Sequence, residues 1–149
     1  MRYQDLVAEF MRAGGQTVNT TPTIPDAETI WLRVNMLQSE MNEYKRAAYR
    51  CINAQSGTPE EQRVAITELH DAQIDLLYVL FGDFCAWGTD GEEGFREVHR
   101  SNMTKVVGGV VVKDARGKIQ KPAGFSPPNL AHVLFGNPDN VYTGDEDYE

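Results

Sequence analysis

The sequence has few cysteines, and they are not placed as a metal site or a disulfide framework requires. Cys51 and Cys85 are the only two, they are far apart, and both fall inside helical patterns. Neither a CxxC pair nor a cluster of histidine and cysteine accompanies them, which argues against a structural zinc site. We therefore expect two buried free thiols in a protein of the reducing cytoplasm.

The chain also lacks a long apolar run and an excess of basic residues. Its longest apolar stretch, around Leu76–Phe81, is far too short to span a membrane. Lys and Arg number 14 against 22 Asp and Glu, and the net charge of −8 is the opposite of what a nucleic-acid-binding protein needs. We expect neither a membrane nor a nucleic acid as a partner. An acidic protein can still bind a phosphorylated ligand when a divalent cation stands between the two.

Helical patterns cover most of the chain, and glycine- or proline-containing breaks divide them. The predicted helices run from Tyr3 to about Ala13, from Asp26 to the break at Ser56, from Pro59 to about Gly88, from Glu92 to about Lys105, and through the short segment NLAHVLFG. This pattern predicts an all-α four-helix bundle of one domain, residues 1–136. Residues 137–149 form an acidic tail that we expect to be disordered.

Three local patterns refine this prediction. Thr58 is suited to cap the third helix, and Glu61, three residues on, completes a capping box. After Lys105, the β-branched residues, the glycines and the Arg116-Gly117 turn predict a loop extension with a small hairpin. The second half of the third helix is apolar nearly all round and needs burial on more than one side, which favours a homodimer or a tetramer built from dimers.

Acidic residues recur on one face of the second helix. The apolar stripe of that helix consists of Leu37, Met41, Tyr44, Ala48 and Cys51. Glu40 and Glu43 lie beside this stripe, and side chains three residues apart share one face of a helix. We therefore expect both carboxylates at the edge of the core.

The third helix has a matching acidic face. Glu68, Asp71 and Asp75, spaced three and then four residues apart, run into its apolar half. A carboxylate that enters such a segment needs a partner or a metal, because an unpaired buried charge is costly. Carboxylates converging from two helices would make an oxygen-rich site for Mg²⁺ or Mn²⁺. The alternative is a solvated acidic face in an acidic protein.

Four segments resemble the all-α nucleoside triphosphate pyrophosphohydrolase superfamily, the MazG and phosphoribosyl-ATP pyrophosphohydrolase-like group, and its stand-alone bacteriophage-type members above all. They are LRVNMLQSEMNEY (32–44), DAQIDLLYVLFG (71–82), EVHRSNMTK (97–105) and GKIQKPAGFSPPNL (117–130). Their order and spacing cover nearly all of residues 3–134, and EVHRSNMTK followed by GK…KP is the most specific part. The resemblance implies a MazG-like bundle and, for a phage-encoded protein, the host cytoplasm.

The sequence departs from the family pattern, EExxE on one helix and ExxD on the next, at two positions. Ser39 replaces the first Glu. Glu68 and Asp71 match the ExxD motif directly. The following segment DLLYVLFG, however, aligns best with the family when Asp75 is the motif aspartate. That register puts Ala72 where Glu is expected, and Asp71 then supplies the missing carboxylate. The resemblance thus assigns the metal ligands to Glu40, Glu43, Asp71 and Asp75, with Glu68 as an outer candidate.

The resemblance implies hydrolysis of a nucleoside or deoxynucleoside triphosphate to the monophosphate and pyrophosphate, and the phage-type likeness favours dGTP. Two or more Mg²⁺ or Mn²⁺ ions per active site would neutralise the triphosphate and orient a water for in-line attack. Glu40 or Glu43 would act as the catalytic base that takes the proton of this water.

The resemblance also places Asn102 and Lys105, three residues apart in the fourth helix, against the substrate. Arg100 and Lys121 are further candidates for phosphate binding, and Trp31 is a candidate for contact with the base. Arg100 has the alternative role of bracing neighbouring helices, and Trp31 that of packing in the core.

Two other functions stay open. A related enzyme would act on phosphoribosyl-ATP and not on free triphosphates. The replacements at Ser39 and Ala72 also allow a catalytically inactive helical module that binds nucleotides or a regulatory partner. Tight nucleotide binding without release of pyrophosphate would mark that module.

Overall fold

The computed structural model describes residues 1–136 as helices joined by short loops and one small hairpin. The helices are α1 (Tyr3–Ala13), α2 (Ala27–Ala54), α3 (Pro59–Trp87), α4 (Gly91–Met103) and α5 (Leu130–Phe135). The hairpin pairs strands β1 (Val106–Val107) and β2 (Val110–Val111) antiparallel. The predicted all-α fold is confirmed, whereas the predicted acidic tail lies outside the described residues.

The chain divides into two compact units. One runs from Met1 to Thr89 and contains α1, α2 and α3, and the other begins at Asp90 and contains α4, the hairpin and α5. That these form one domain stays a prediction. None of the helices in residues 1–136 is both long and apolar enough to cross a membrane.

Capping sets the ends of the two long helices. Asp26 caps α2 by accepting a hydrogen bond from the Thr29 amide at 2.8 Å. The predicted capping box opens α3: Thr58 Oγ1 accepts from the Glu61 amide at 3.3 Å, and Glu61 Oε2 accepts from the Thr58 amide at 2.7 Å. Gly88 ends α3 at φ 67°, in the left-handed region that glycine enters without strain. The predicted starts of both helices are therefore confirmed.

α2 and α3 pack as an antiparallel pair along one seam. Its positions alternate in steps of four and three residues, as in helices that interlock their side chains. All are buried or half-buried; they are Arg33, Leu37, Glu40, Tyr44, Ala47, Cys51 and Ala54 on α2, and Ala65, Leu69, Ala72, Leu76, Val79, Asp83 and Ala86 on α3. The register is marked by the Cys51 thiol, which donates to the Ala65 carbonyl at 3.3 Å, and by the ion pair of Arg50 and Glu68 at 2.7 Å.

This seam differs from the apolar stripe that the sequence predicts for α2. Met41 is 37% exposed, whereas Ala47 is 4% exposed and Glu40 is half-buried. The prediction that Met41 belongs to the buried face is wrong. Small side chains such as Ala47, Ala65 and Ala72 let the two helices approach closely, and close packing outweighs the larger apolar surface of a methionine.

A buried arginine lies in the seam near the start of α2. Arg33 is 3% exposed, and its guanidinium donates to the side-chain oxygen of Gln16. Burial is the largest influence on Arg33 and lowers its pKa, while the charge of Asp83 on α3 acts in the opposite direction. Gly82 makes room for this side chain, because a Cβ there would lie 2.6 Å from Arg33 Nη1. The seam thus holds a charged group that depends on a glycine and on polar neighbours.

The segment between α1 and α2 covers the C-terminal end of α3. The last carbonyl groups of a helix have no partners within the helix. Here the Asn19 amide donates to the Cys85 carbonyl at 2.9 Å, and the Asn19 side chain donates to the Ala86 carbonyl at 2.6 Å. The Thr23 amide donates to the Trp87 carbonyl at 2.9 Å. The loop therefore satisfies the end of α3 and fixes α1 beside it.

The hydrophobic core of the first unit forms where α1 packs against α3. Its buried members are Val7, Ala8, Met11, Cys85 and Ala86. The rings of Phe10 and Tyr78 meet edge to face at its border, with centroids 6.1 Å apart. Both cysteines are free thiols as predicted, Cys85 buried and Cys51 half-buried. Burial raises the pKa of the Cys85 thiol, which disfavours its reactive thiolate form.

The hairpin of the second unit turns at two adjacent glycines. Gly108 and Gly109 have φ values of 60° and 81°, the double left-handed conformation of a tight two-residue turn. The turn predicted at Arg116 and Gly117 is present as well. Asp114 closes it, since its side chain accepts hydrogen bonds from the backbone amides of Arg116 and Lys118, both at 2.9 Å. The predicted hairpin in this extension is thus confirmed.

We expect Gly82→Ala to destabilise the protein by about 1–3 kcal/mol, because the added Cβ meets the Arg33 guanidinium. Gly94→Ala in α4 is the matched control, since the nearest atom to its Cβ would be Leu130 Cδ2 at 4.0 Å. Helix propensity alone should make that change stabilising by about 0.5–1 kcal/mol. Urea unfolding measures both variants. A stabilising Gly82→Ala would mean that Arg33 does not fill the space beside Gly82.

Candidate active site

Glu40 lies in the seam between α2 and α3, where apolar side chains are expected. Among the seam positions of α2, Glu40 follows Leu37 and precedes Tyr44, and its side chain is half-buried. The pKa of Glu40 is raised, chiefly by burial, then by the negative charge of Asp75 on α3 and that of Glu43 on α2. Glu40 is therefore close enough to both carboxyl groups to be affected by their charge.

We call Glu40, Glu43 and Asp75 the acidic edge of the helix pair. These are three of the four predicted metal ligands, and their role as ligands stays a prediction. Burial and like charge both disfavour ionised Glu40, and a cation placed among these groups would turn repulsion into attraction. Carboxylate oxygens are the donors that Mg²⁺ and Mn²⁺ prefer. The chemistry of this donor set fits a divalent cation.

Glu68 is engaged by a neighbouring arginine. Arg50 Nη1 lies 2.7 Å from Glu68 Oε2; the Arg50 side chain is exposed and that of Glu68 is half-buried. The hydrogen bond and charge of Glu68 raise the pKa of Arg50, and Glu43 adds to this effect. Arg50 therefore pairs with the outer carboxylate, Glu68, and its positive charge also interacts with Glu43.

Asp71 and Ala72 are placed differently from the acidic edge. Asp71 is exposed and is not among the charges that raise the pKa of Glu40. Ala72, where the family pattern has Glu, is 1% exposed inside the seam. Within residues 1–136, no three His, Cys, Asp or Glu side chains gather closely enough to hold a metal ion. The ligand role of Asp71 therefore stays a prediction.

The second unit places two predicted phosphate-binding lysines on one aromatic ring. The ammonium groups of Lys105 and Lys121 each lie 5.4 Å from the centroid of the Phe125 ring. Lys105 also donates to Asn102 Oδ1 at 2.9 Å. Phe125 is not among the residues predicted from the sequence. Its signal is the spacing Lys121-Pro122-x-x-Phe125, which forms a turn closed by a 2.9 Å hydrogen bond from the Phe125 amide to the Pro122 carbonyl.

Arg100 is engaged with other protein groups. Its guanidinium donates to both carboxylate oxygens of Glu97, at 2.7 and 2.8 Å, to Ser126 Oγ at 3.2 Å and to the Pro127 carbonyl at 3.1 Å. Arg100 is the largest cause, and the Asn129 amide the next, of a Glu97 pKa lowered to about 2. This geometry fits the bracing alternative, and the role of Arg100 in phosphate binding stays a prediction.

Trp31 is a surface residue of α2. Its side chain is 64% exposed, so the expectation that it packs in the core is wrong. An exposed indole can stack on a nucleobase. Contact between Trp31 and the base of a substrate stays a prediction.

A family model described as phosphoribosyl-ATP pyrophosphohydrolase matches residues 7–102 of this chain. The matched region is more than half of the sequence, begins within α1 and ends within α4, and includes the acidic edge. Lys105, Lys121 and Phe125 lie beyond it. No curated protein matches the chain.

We expect the pKa of Glu40 to fall when its acidic neighbours are neutralised. Asp75→Asn should lower it more than Glu43→Gln does, because Asp75 is the larger influence of the two. Neither change should restore the ordinary value, since burial is the largest cause and remains. A carbon-detected NMR titration of the side-chain carboxyl groups in EDTA measures these shifts. An unchanged Glu40 pKa in Asp75→Asn would rule out the proximity of the two side chains.

Folding lowers the pKa of Glu97, so the ionised form of this side chain stabilises the protein. That contribution is fully present above the ordinary pKa of 4.5 and is lost as the pH falls toward about 2. We expect Glu97→Gln to lower the free energy of unfolding by about 1–3 kcal/mol at pH 7 and by much less at low pH.

Urea unfolding at pH 7 and at low pH tests this expectation. Glu93→Gln is the matched control on the same helix, because its pair with Arg96 is largely exposed. It should change the free energy of unfolding by less than about 0.5 kcal/mol at either pH. Equal losses in the two variants would contradict a special role for Glu97.

Proposed function

Because this chain belongs to the phosphoribosyl-ATP pyrophosphohydrolase family, within the MazG-like superfamily of all-α pyrophosphohydrolases, we propose that it cleaves nucleoside triphosphates to monophosphate and pyrophosphate. Membership implies a pyrophosphohydrolase that acts on an anhydride bond. The observation that carries the proposal is Glu40, half-buried in a helix seam beside two further carboxyl groups. Such a position is costly for an ionised carboxylate, and a functional site explains why it is kept.

The proposed cofactor is Mg²⁺ or Mn²⁺, two or more ions per site. The acidic edge would hold it, with Asp71 as the fourth ligand that the resemblance implies. When bound, such a cation neutralises phosphate charge and makes a coordinated water more acidic. A cation is also what lets an acidic protein accept a polyanionic substrate.

Glu40 is the best candidate for the general base. Its raised pKa makes the carboxylate a stronger proton acceptor than an ordinary glutamate, closer to what catalysis near neutral pH requires. Glu40 would take a proton from the attacking water, whose oxygen bonds to the α-phosphorus. The bond from that phosphorus to the bridging oxygen breaks, and pyrophosphate leaves with the electron pair. Glu43 and Asp75 would keep the site strongly negative and so favour the cation.

The substrate contacts that the resemblance implies are proposed as well. Asn102, Lys105 and Lys121 would bind phosphate oxygens, since ammonium and amide groups supply the donors that phosphate accepts. Trp31 would contact the base. Deoxynucleotides, with dGTP among them, are the proposed preferred substrates on the strength of the phage-type resemblance.

A second candidate substrate is phosphoribosyl-ATP, which the description of the matching family names. The same acidic edge would serve, because the bond cleaved is again a phosphoanhydride. Turnover of phosphoribosyl-ATP without turnover of free triphosphates would select this candidate.

We also propose that copies of the chain associate through α2 and α3, as a homodimer or a tetramer of dimers. Large apolar side chains remain exposed on the flank away from the acidic edge; they include Val34, Met41 and Ile52 on α2, and Ile66 and Leu77 on α3. An apolar stripe of this kind is typical of a subunit interface. Sedimentation velocity of the purified chain measures the state.

We expect metal-dependent release of monophosphate and pyrophosphate when the protein is incubated with the eight common nucleoside and deoxynucleoside triphosphates. Mg²⁺ and Mn²⁺ should support turnover, and EDTA should abolish it. Separate assays of the two products locate the cut. Nucleoside diphosphate with orthophosphate would place the cut at another bond and contradict attack at the α-phosphorus.

Glu43→Gln should abolish detectable turnover, a loss of at least about a hundredfold, while the fold stays intact. The variant keeps the shape of the side chain and removes the charge. Glu60→Gln is the matched control, an exposed glutamate in the first turn of α3, and should keep full activity. Near-normal turnover in Glu43→Gln, with an unchanged circular dichroism spectrum, would remove Glu43 from the site.

A further inference from the structure

Arg50 and Glu68 form an ion pair that joins α2 to α3. Their charged atoms lie 2.7 Å apart, and the two side chains are 60% and 41% exposed. An ion pair this open to water contributes at most about 1 kcal/mol to stability, because water screens it and both side chains lose freedom. An open groove of about 600 Å³ borders the pair. Arg50 can therefore exchange Glu68 for another anion at little cost.

The acidic edge repeats the position of this pair two helical turns away. Glu43 precedes Arg50 by seven residues on α2, and Asp75 follows Glu68 by seven residues on α3. Seven residues are close to two full turns, so each step returns to the same side of its helix and advances about 10 Å. Because α2 and α3 are antiparallel, both steps lead in the same direction. Glu43 and Asp75 are thus placed relative to each other as Arg50 and Glu68 are.

The two positions differ in charge. At the first, the Arg50 guanidinium balances the Glu68 carboxylate. At the second, each helix contributes a carboxylate, and the charges of both act on Glu40. Side chains lean toward the N-terminus of their helix, so Arg50 leans toward Glu43, whose charge contributes to the raised pKa of Arg50. The guanidinium is therefore placed to respond to what the acidic edge binds.

We propose that Arg50 is a movable counter-ion: it pairs with Glu68 while the acidic edge holds no cation, and it binds a phosphate group of the substrate once a divalent cation occupies that edge. A cation beside Glu43 repels the guanidinium, and a polyphosphate attracts it with more charge than one carboxylate carries. The planar guanidinium can bind two phosphate oxygens at once. Cation and phosphate then favour each other's binding, because the phosphate neutralises the positive charge that otherwise opposes the cation.

This role rests on the proposed function, since it takes the substrate to be a metal-bound condensed phosphate. Arg50 lies outside the four segments that carry the family resemblance, and it is not among the predicted substrate contacts. The proposal thus adds a residue to the site. It predicts that loss of the guanidinium shifts two affinities in opposite directions, which damage to the fold does not do.

The test compares Arg50→Met with the unaltered full chain, using two probes. Mn²⁺ alone, followed by the electron paramagnetic resonance signal of the free ion, should bind the variant about three- to tenfold more tightly, because a nearby positive charge is gone. Inorganic pyrophosphate in excess Mg²⁺, measured by calorimetry, should bind the variant about tenfold more weakly, the loss expected for a charge-assisted hydrogen bond.

Arg63→Met is the matched control, because Arg63 is likewise an exposed arginine paired with a glutamate, Glu60 in the first turn of α3. It should change either affinity less than about twofold. Arg50→Lys keeps the charge and loses the planar fork. It should leave the Mn²⁺ affinity close to that of the unaltered chain and weaken pyrophosphate binding less than Arg50→Met does.

An unchanged affinity for either probe in Arg50→Met, or two shifts of the same sign, would overturn the proposal. Absence of Mn²⁺ binding to the unaltered chain would overturn it together with the proposed metal site. Failure of the proposed function alone is seen separately. Absence of turnover with every nucleotide, together with the opposite shifts in Arg50→Met, would end the proposed reaction and leave this role standing. Turnover with affinities that ignore Arg50 would do the reverse.

Discussion

The close approach of α2 and α3 determines where every side chain of the acidic edge can lie. Alanines at Ala47, Ala65 and Ala72 let the helices touch, and the same repeat then puts Arg33 and Glu40 at inward positions. The surroundings of these two charged side chains differ. Arg33 has the Gln16 side chain and the charge of Asp83 in its surroundings, whereas the charges that act on Glu40 are themselves acidic. The positive charge of Arg33 is therefore balanced by groups of the protein itself, whereas the position of Glu40 is suited to a positively charged ligand.

The second unit separates its cations by chemical type. Arg100 makes a two-bond pair with Glu97 and reaches the backbone of Pro127, so its planar guanidinium fixes the segment that leads into α5. Lys105 and Lys121 instead meet at an aromatic ring. This division follows from the side chains, because a guanidinium matches a fixed carboxylate and an ammonium on a flexible stem can follow a ligand.

Local signals were sufficient to predict the helices from the sequence. Asp26, the Thr58 and Glu61 box and Gly88 each act within one turn of chain, and the structure confirms them. The buried face of α2 was harder to predict from the sequence, because it depends on how closely α3 approaches. The larger apolar side chain of Met41 suggested burial there, whereas the buried residue is Ala47. The proximity of Glu40 and Asp75 could be predicted, because each belongs to the acidic face of its helix. The contact of the Phe125 ring with Lys105 could not be predicted, since it joins residues twenty positions apart through turns that no periodic pattern records.

Ala72 links packing to chemistry. Its position would carry a carboxylate in the pattern that the family resemblance implies, yet here it lies among the most deeply buried side chains of the helix pair. A glutamate cannot be added there while the helices keep their present spacing, because the longer side chain would have to push them apart. For protein engineering, recovering the full set of acids is thus a matter of redesigning the distance between two helices. A substitution of Ala72 alone does not supply the space that the longer side chain needs.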